Sequence, residues 1–130
     1  MTASNIPTDL LYTREHEYVR FTTDGIAEIG ITDFAQGELG DIVFVELPSP
    51  GTAVTADAQF DTVEAVKAVS ELNAPVTGEV VAVNPRLDKE PALINSDPYG
   101  EGWMIRVKLA SPTARDGLLT PRDYATQIGA

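Results

Sequence analysis

One lysine in this chain is set differently from the others. Lys67 is the sole cation of Thr62-Val63-Glu64-Ala65-Val66-Lys67-Ala68-Val69-Ser70, with small apolar residues on both sides and Glu64 shortly before it. Lys89 sits between Asp88 and Glu90, and Lys108 falls in an alternating strand pattern. An amine framed this way is either an ordinary solvated surface group or the target of an enzyme that modifies it. The rest of the chain limits what other chemistry is open. There is no cysteine, which excludes disulfides, thiolate metal sites and cysteine nucleophiles. Any sulfur redox chemistry would have to come from a cofactor. His16 is the one histidine, so one chain cannot build a multi-histidine metal site. No phosphate-cradling loop, dinucleotide fingerprint or nucleophile–histidine constellation is present, which argues against an autonomous enzyme.

Two local structures compete for the lysine segment. Val63, Val66, Val69 and Leu72 recur at helical spacing, and Thr62 could cap the start, so local pattern alone favours an amphipathic helix. The other reading is a hairpin of β-branched residues closed downstream by Asn73-Ala74-Pro75 and Gly78, with Lys67 at its tip. The helix makes Lys67 an ordinary surface residue. The hairpin holds it away from the body.

The surrounding sequence predicts the elements that must position this segment. Residues 1–11 read as an irregular lead, with Leu10-Leu11-Tyr12 packing on the body. Glu15-His16-Glu17-Tyr18-Val19-Arg20 is a strand candidate. A turn at Thr22-Thr23-Asp24-Gly25 precedes the half-buried strand Ile26–Ile31. Thr32 or Asp33 can cap one helical turn through Phe34-Ala35-Gln36, ended by Gly37 and Gly40. Asp41–Leu47 is the clearest strand, and Pro48-Ser49-Pro50-Gly51-Thr52 is a turn in which Gly51 reads as a positive-φ residue. Residues 78–83 echo 25–30, and 103–109 echo 42–47, a faint repeat that suggests two similar half-sheets packed face to face. Residues 93–103 read as a loop, with Trp103 as a core anchor. Thr120–Gly129 reads as a capped C-terminal helix, with Pro121 at its first position.

The chain has 130 residues, with 9 basic and 20 acidic side chains and a net charge of -11. That length is one domain, 1–130, able to bury a core without staples. The charge repels nucleic acid and anionic membrane surfaces; it suits a carrier that docks on basic patches and equally a surface that is merely soluble, and charge alone does not decide between them. No apolar run is long enough to span a bilayer. The N-terminus has neither a basic start nor an apolar signal core, so the expected setting is the cytoplasm, most simply of a bacterium.

Glu64-Ala65-Val66-Lys67-Ala68-Val69-Ser70, followed by Ala74-Pro75-Val76-Thr77-Gly78-Glu79-Val80, resembles the lipoyl-lysine hairpin of the glycine cleavage system H proteins. Ala65 stands where that family usually has serine. His16-Glu17-Tyr18-Val19 resembles the family's entry strand, with Tyr18 in place of tryptophan. Leu47–Gly51 resembles its Leu-Pro-x-x-Gly segment, and 93–103 its second signature. The motifs keep the family's order from about Tyr12 to the C-terminal helix.

The resemblance implies a mainly β barrel-sandwich hybrid of two small antiparallel sheets with a few short helices. It implies the hairpin over the helix, and a non-enzymatic carrier with lipoate in amide linkage to Lys67. Its implied partners are P-protein, which loads aminomethyl from glycine, T-protein, which passes the one-carbon unit to tetrahydrofolate, and L-protein, which reoxidises the dithiol. Lipoate-attaching enzymes, implied to read Glu64 and Gly51, complete the set. The loaded arm is implied to fold back onto a groove with Glu17, its neighbour His16, and Glu71. A monomer is expected. Other readings remain: a lipoate relay, a lipoyl domain of a 2-oxo acid dehydrogenase, an interaction domain with unmodified Lys67, or a biotin carrier. Biotin lysines are usually framed by methionines, which neither Val66 nor Ala68 is.

Overall fold

A computed structural model describes residues 5–22, 25–110 and 117–129. Thr23 and Asp24 of the expected first turn, and residues 1–4 of the expected lead, lie outside them. The described chain is mainly β, with two antiparallel sheets. The strands are β1 Leu11–Tyr12, β2 Glu17–Phe21, β3 Ile26–Ile31, β4 Ile42–Glu46, β5 Ala53–Val54, β6 Gln59–Ala65, β7 Val69–Asn73, β8 Gly78–Val83 and β9 Ile105–Leu109. The helices are α1 Asp33–Leu39, α2 Leu93–Ser96 and α3 Pro121–Ile128, with a 3-10 turn at Pro85–Asp88.

One sheet runs β1-β2-β3-β9-β8-β5 and the other β4-β6-β7. The alternating apolar positions of both sheets meet in one core that includes Val19, Ile29, Val63, Leu72, Val80 and Ile105. Burial of these side chains supplies the main driving force, about 1.5–3 kcal/mol for each fully buried large aliphatic. A second cluster is built from Leu10, Tyr12, Tyr18, Tyr99 and Tyr124. Here α3 docks on β1: Tyr12 and Tyr124 stack at 4.7 Å, and Tyr12 bridges to Leu119. Gly30 faces Tyr18 across β2 and β3, and a Cβ there would meet the tyrosine ring at 2.7 Å. The glycine in mid-strand therefore gives the ring its seat.

Several expectations need correction. The repeat does not make two equal half-sheets: β9 enters between β3 and β8, leaving β4 in the smaller sheet. Gly37 lies inside α1, which continues to Leu39 and is capped by Gly40, whose N–H donates to Gln36 O. The expected loop 93–103 opens with α2. Trp103 is not a core residue. It is half-buried under the Arg106 guanidinium, 4.0 Å from the ring centroid, and Met104 takes the fully buried place. The strand starts at Ile105, after both. The expected lead ends in a short strand, since Leu11 pairs with Val19.

Candidate functional site

The segment around Lys67 is a hairpin. β6 and β7 pair in register from Asp61↔Leu72 to Glu64↔Val69, with a shift between Gln59 and Asp61, and the Ala65 N–H closes the turn on Ala68 O at 2.7 Å. The helical spacing of the valines misleads because tertiary pairing splits them. Val63 and Leu72 are buried against the core, whereas Val66 is 75% exposed and Val69 68% exposed near the tip. The tip is tied down from outside: Val66 N–H donates to Asp41 O at 3.0 Å. Lys67 is exposed and makes no ion pair among the described residues. Its stem lies beside Gly40, where an added Cβ would come within 3.2 Å of Cε. Glu64 is exposed on β6, between Phe44 of β4 and Val69 of β7.

Beside the hairpin, between β7, α1 and the start of β2, lies a cavity of about 370 Å³. Its walls include His16, Glu17 and Glu71, with Phe34, Glu38 and Leu39 from α1. Glu71 is exposed, but Glu17 is only 2% exposed. Glu17 Oε1 accepts from Thr13 Oγ1 at 2.6 Å, and Thr13 Oγ1 accepts from the Glu17 N–H at 3.1 Å. Asn73 N–H adds a long contact of 3.4 Å from β7. Burial outweighs these hydrogen bonds and pushes the Glu17 carboxyl up to about 8. The group is therefore mostly neutral at pH 7, next to a space large enough for a flexible chain.

His16 adopts φ 71°, turning the backbone into β2. Its ring packs on Phe34 at 5.0 Å, and its Nδ1 lies 2.9 Å from Tyr124 Oη. Burial lowers its pKa, against the opposing charges of Glu15 and Glu38. Thr32 Oγ1 caps α1 by accepting from Ala35 N–H, and it lies 2.7 Å from the same Tyr124 hydroxyl. The Tyr124 hydroxyl thus links the Thr32 hydroxyl and the imidazole, donating to one and accepting from the other. Burial pushes the Tyr124 hydroxyl up to about 12, so it remains a donor at any ordinary pH.

The chain from residue 10 to 129 matches the family model described as Glycine cleavage H-protein. The chain belongs to the glycine cleavage H-protein family. The H protein of Chlorobaculum tepidum is 54% identical over 126 residues, covering 96% of this chain and 98% of that one. The probable H protein of Haloarcula marismortui is 53% identical over 124 residues, covering 95% and 97%. The crystal structure of an H protein from Mycobacterium marinum superposes with a TM-score of 0.89 at 42% identity, covering 96% of this chain and all of that one. H proteins carry lipoate in the glycine cleavage system and are carriers rather than enzymes. The mainly β sandwich expected from the sequence is the fold observed.

Within this H-protein fold, His16, Glu17 and Glu71 meet at one cavity, and Glu64 stands on the lysine hairpin. Gly51 stands apart, in the turn between β4 and β5, with φ 95° and its N–H on Val80 O at 2.7 Å. Sequence reasoning found Thr32 as a helix cap but missed its bond to Tyr124, and it missed Thr13, Phe34 and Tyr124 as parts of the site. Phe34 and Tyr124 meet His16 from separate elements, so no local pattern marks them, whereas Thr13 meets Glu17 only four residues on. No helix among the described residues is long and apolar enough to cross a membrane.

Proposed function

We propose that Lys67 is the lipoyl attachment residue, joined through an amide at Nζ, and that the arm works between the hairpin tip and the cavity beside it. The observation that carries this reading is the exposed, ion-pair-free lysine at the tip of the β6–β7 hairpin. The residues present suit such a group: a free amine for the amide, and a cavity of about 370 Å³ with apolar and acidic walls alongside. An unmodified ammonium has a pKa of about 10.4 and no redox capacity. Lipoate would supply a reversible disulfide at the end of a long tether. Tethering turns transfer between enzymes into a matter of effective concentration.

In this reading P-protein loads the arm with aminomethyl from glycine, T-protein unloads it and L-protein reoxidises it. The chain serves them as one carrier domain, monomeric and cytoplasmic. Glu64, exposed on the hairpin, and Gly51, exposed on its turn, are what an attaching enzyme reads. Glu17 and Glu71 receive the cationic end of the loaded arm, and His16 helps to shape the wall that holds it.

The test is peptide mass mapping of protein expressed with lipoate and an attaching enzyme. Lipoate is expected on Lys67 alone. Lys67→Arg should fold with an unchanged melting curve and carry none. Lipoate on Lys89 or Lys108 would overturn the assignment.

A further inference from the structure

We infer that Asn95 is a positioning residue for Lys67, acting through the Gly40–Ile42 segment that anchors the hairpin tip and seats the lysine stem. The inference rests on the reading of Lys67 as the attachment residue. Asn95 lies on α2, far from the hairpin in sequence, yet its carboxamide is fully engaged at the foot of the tip. Nδ2 donates to Gly40 O at 2.8 Å and to Gln36 Oε1 at 2.9 Å, while Oδ1 accepts from Ile42 N–H at 2.9 Å. Exchanging oxygen and nitrogen would set donor against donor at Ile42 and acceptor against acceptor at Gly40, so the network itself fixes the amide's orientation.

The segment held this way acts on the lysine at two points. Asp41 O, between the two clamped residues, accepts the Val66 N–H at 3.0 Å. Gly40, with φ 80° and ψ -155°, occupies a conformation that only glycine takes at low cost. A Cβ there would stand 3.2 Å from Lys67 Cε and 3.7 Å from Nζ, so the missing side chain is the stem's seat. Leu39, just before it, lines the cavity.

The mount behind Asn95 is itself fixed. Ile94 is fully buried, and Gly102 N–H donates to Asp97 O at 2.8 Å. A side chain at Gly102 would meet Leu93 O at 2.6 Å, so the turn after α2 closes directly on the helix. Asn84, at the end of β8, donates to Glu101 O at 2.7 Å and Trp103 O at 2.8 Å. A continuous path of hydrogen bonds and packing therefore leads from the large sheet to the lysine.

This matters because an amine at a hairpin tip must enter another enzyme's active site. If the tip wanders, only a fraction of molecules present it correctly, and apparent affinity falls by that fraction. Loosening the brace should therefore raise the KM of the carrier for its attaching enzyme, with little effect on kcat.

The experiment compares full-length wild type with Asn95→Ala and with the near-isosteric Asn95→Asp, which keeps Oδ1 for Ile42 but loses both donors. Two quantities are read: hydrogen exchange of the Val66 amide, and the kinetics of lipoylation by an attaching enzyme given lipoate and ATP. Losing the two brace hydrogen bonds of Nδ2, or all three in Asn95→Ala, should speed Val66 exchange by at least about 5–10-fold and raise KM by a similar factor. The kcat should stay within about twofold. Unchanged Val66 exchange, or a fall in kcat at constant KM, overturns the inference. Should Asn95→Ala fail to fold, Asn95→Asp decides by the same readings. If mapping puts lipoate elsewhere than Lys67, the attachment reading fails, and Val66 exchange alone decides the brace.

Discussion

A carboxyl group that is 2% exposed and still walls a cavity, as Glu17 is, carries a proton at neutral pH that an incoming cation can displace. Its folded pKa is raised to about 8, from 4.5. The folded state thus holds a proton that the unfolded chain releases above about pH 4.5, so this group's contribution to stability is present at low pH and lost as pH rises towards 8. Glu17→Gln removes that titration. Wild-type stability relative to the variant should fall by up to about 1.4 kcal/mol per pH unit between about pH 5 and 8, measured by urea unfolding. A gap that does not vary with pH would mean an ordinary acid. In the proposed reading, an aminomethyl-loaded arm would bring an ammonium to the cavity, its charge would favour the carboxylate, and a charge-assisted contact of about 1.5–3 kcal/mol would hold it. The double variant Glu17→Gln, Glu71→Gln should therefore take up lipoate normally but release formaldehyde faster once loaded, in the absence of T-protein. Release at the wild-type rate would show that these carboxylates do not guard the arm. Lys67 stood out in the sequence because its neighbours frame it, while its place at a hairpin tip was legible only through the resemblance, since local pattern favoured a helix. The burial of Glu17 was not legible, because α1 and β7 are brought beside it from later in the chain.

At the scale of elements, the hairpin shows why periodicity failed. Val63, Val66, Val69 and Leu72 have the spacing of a helix face, but the pairing of β6 with both β4 and β7 decides the structure. The strands with clean alternation and the capped ends of α3 were readable because their signals are local. At the C-terminus Thr120 accepts from Asp123 N–H, and Gly129 closes the helix at φ 77°. What α3 does was not readable, since Tyr124 acts on Thr32 and His16 from the far end of the chain. Tyr124→Phe keeps the stack on Tyr12 but leaves the fully buried Thr32 hydroxyl and His16 Nδ1 without that partner. It should cost about 1–3 kcal/mol in denaturant unfolding. The rate of lipoylation should not change, because the hydroxyl's partners, Thr32 and His16, lie outside the β6–β7 hairpin. A variant as stable as wild type would show that the hydroxyl contributes only packing.

Over the whole molecule, the net charge of -11 sets how the carrier meets other proteins. Screening acts over about 8 Å at physiological ionic strength. Binding to the glycine cleavage partners should weaken several-fold between low and moderate salt, mostly through slower association, as surface plasmon resonance would show. Affinity independent of salt would point to an apolar interface. The sandwich as a class was legible from the family resemblance, with the faint strand repeat as a local hint. Its division into unequal sheets was not, because β9 takes its place by pairing with β3 and β8 rather than by any local cue.

Trp103 gives the molecule a built-in optical reporter. It is the only indole in the chain, its π face lies under the Arg106 guanidinium, and its carbonyl is held by Asn84. The indole therefore sits on the same loop that mounts α2, well separated in sequence from the lysine. Its emission follows the integrity of that mount without a label. A change in lysine presentation with constant emission would mark a loosened tip on a sound scaffold, whereas a red shift would mark loss of the scaffold itself.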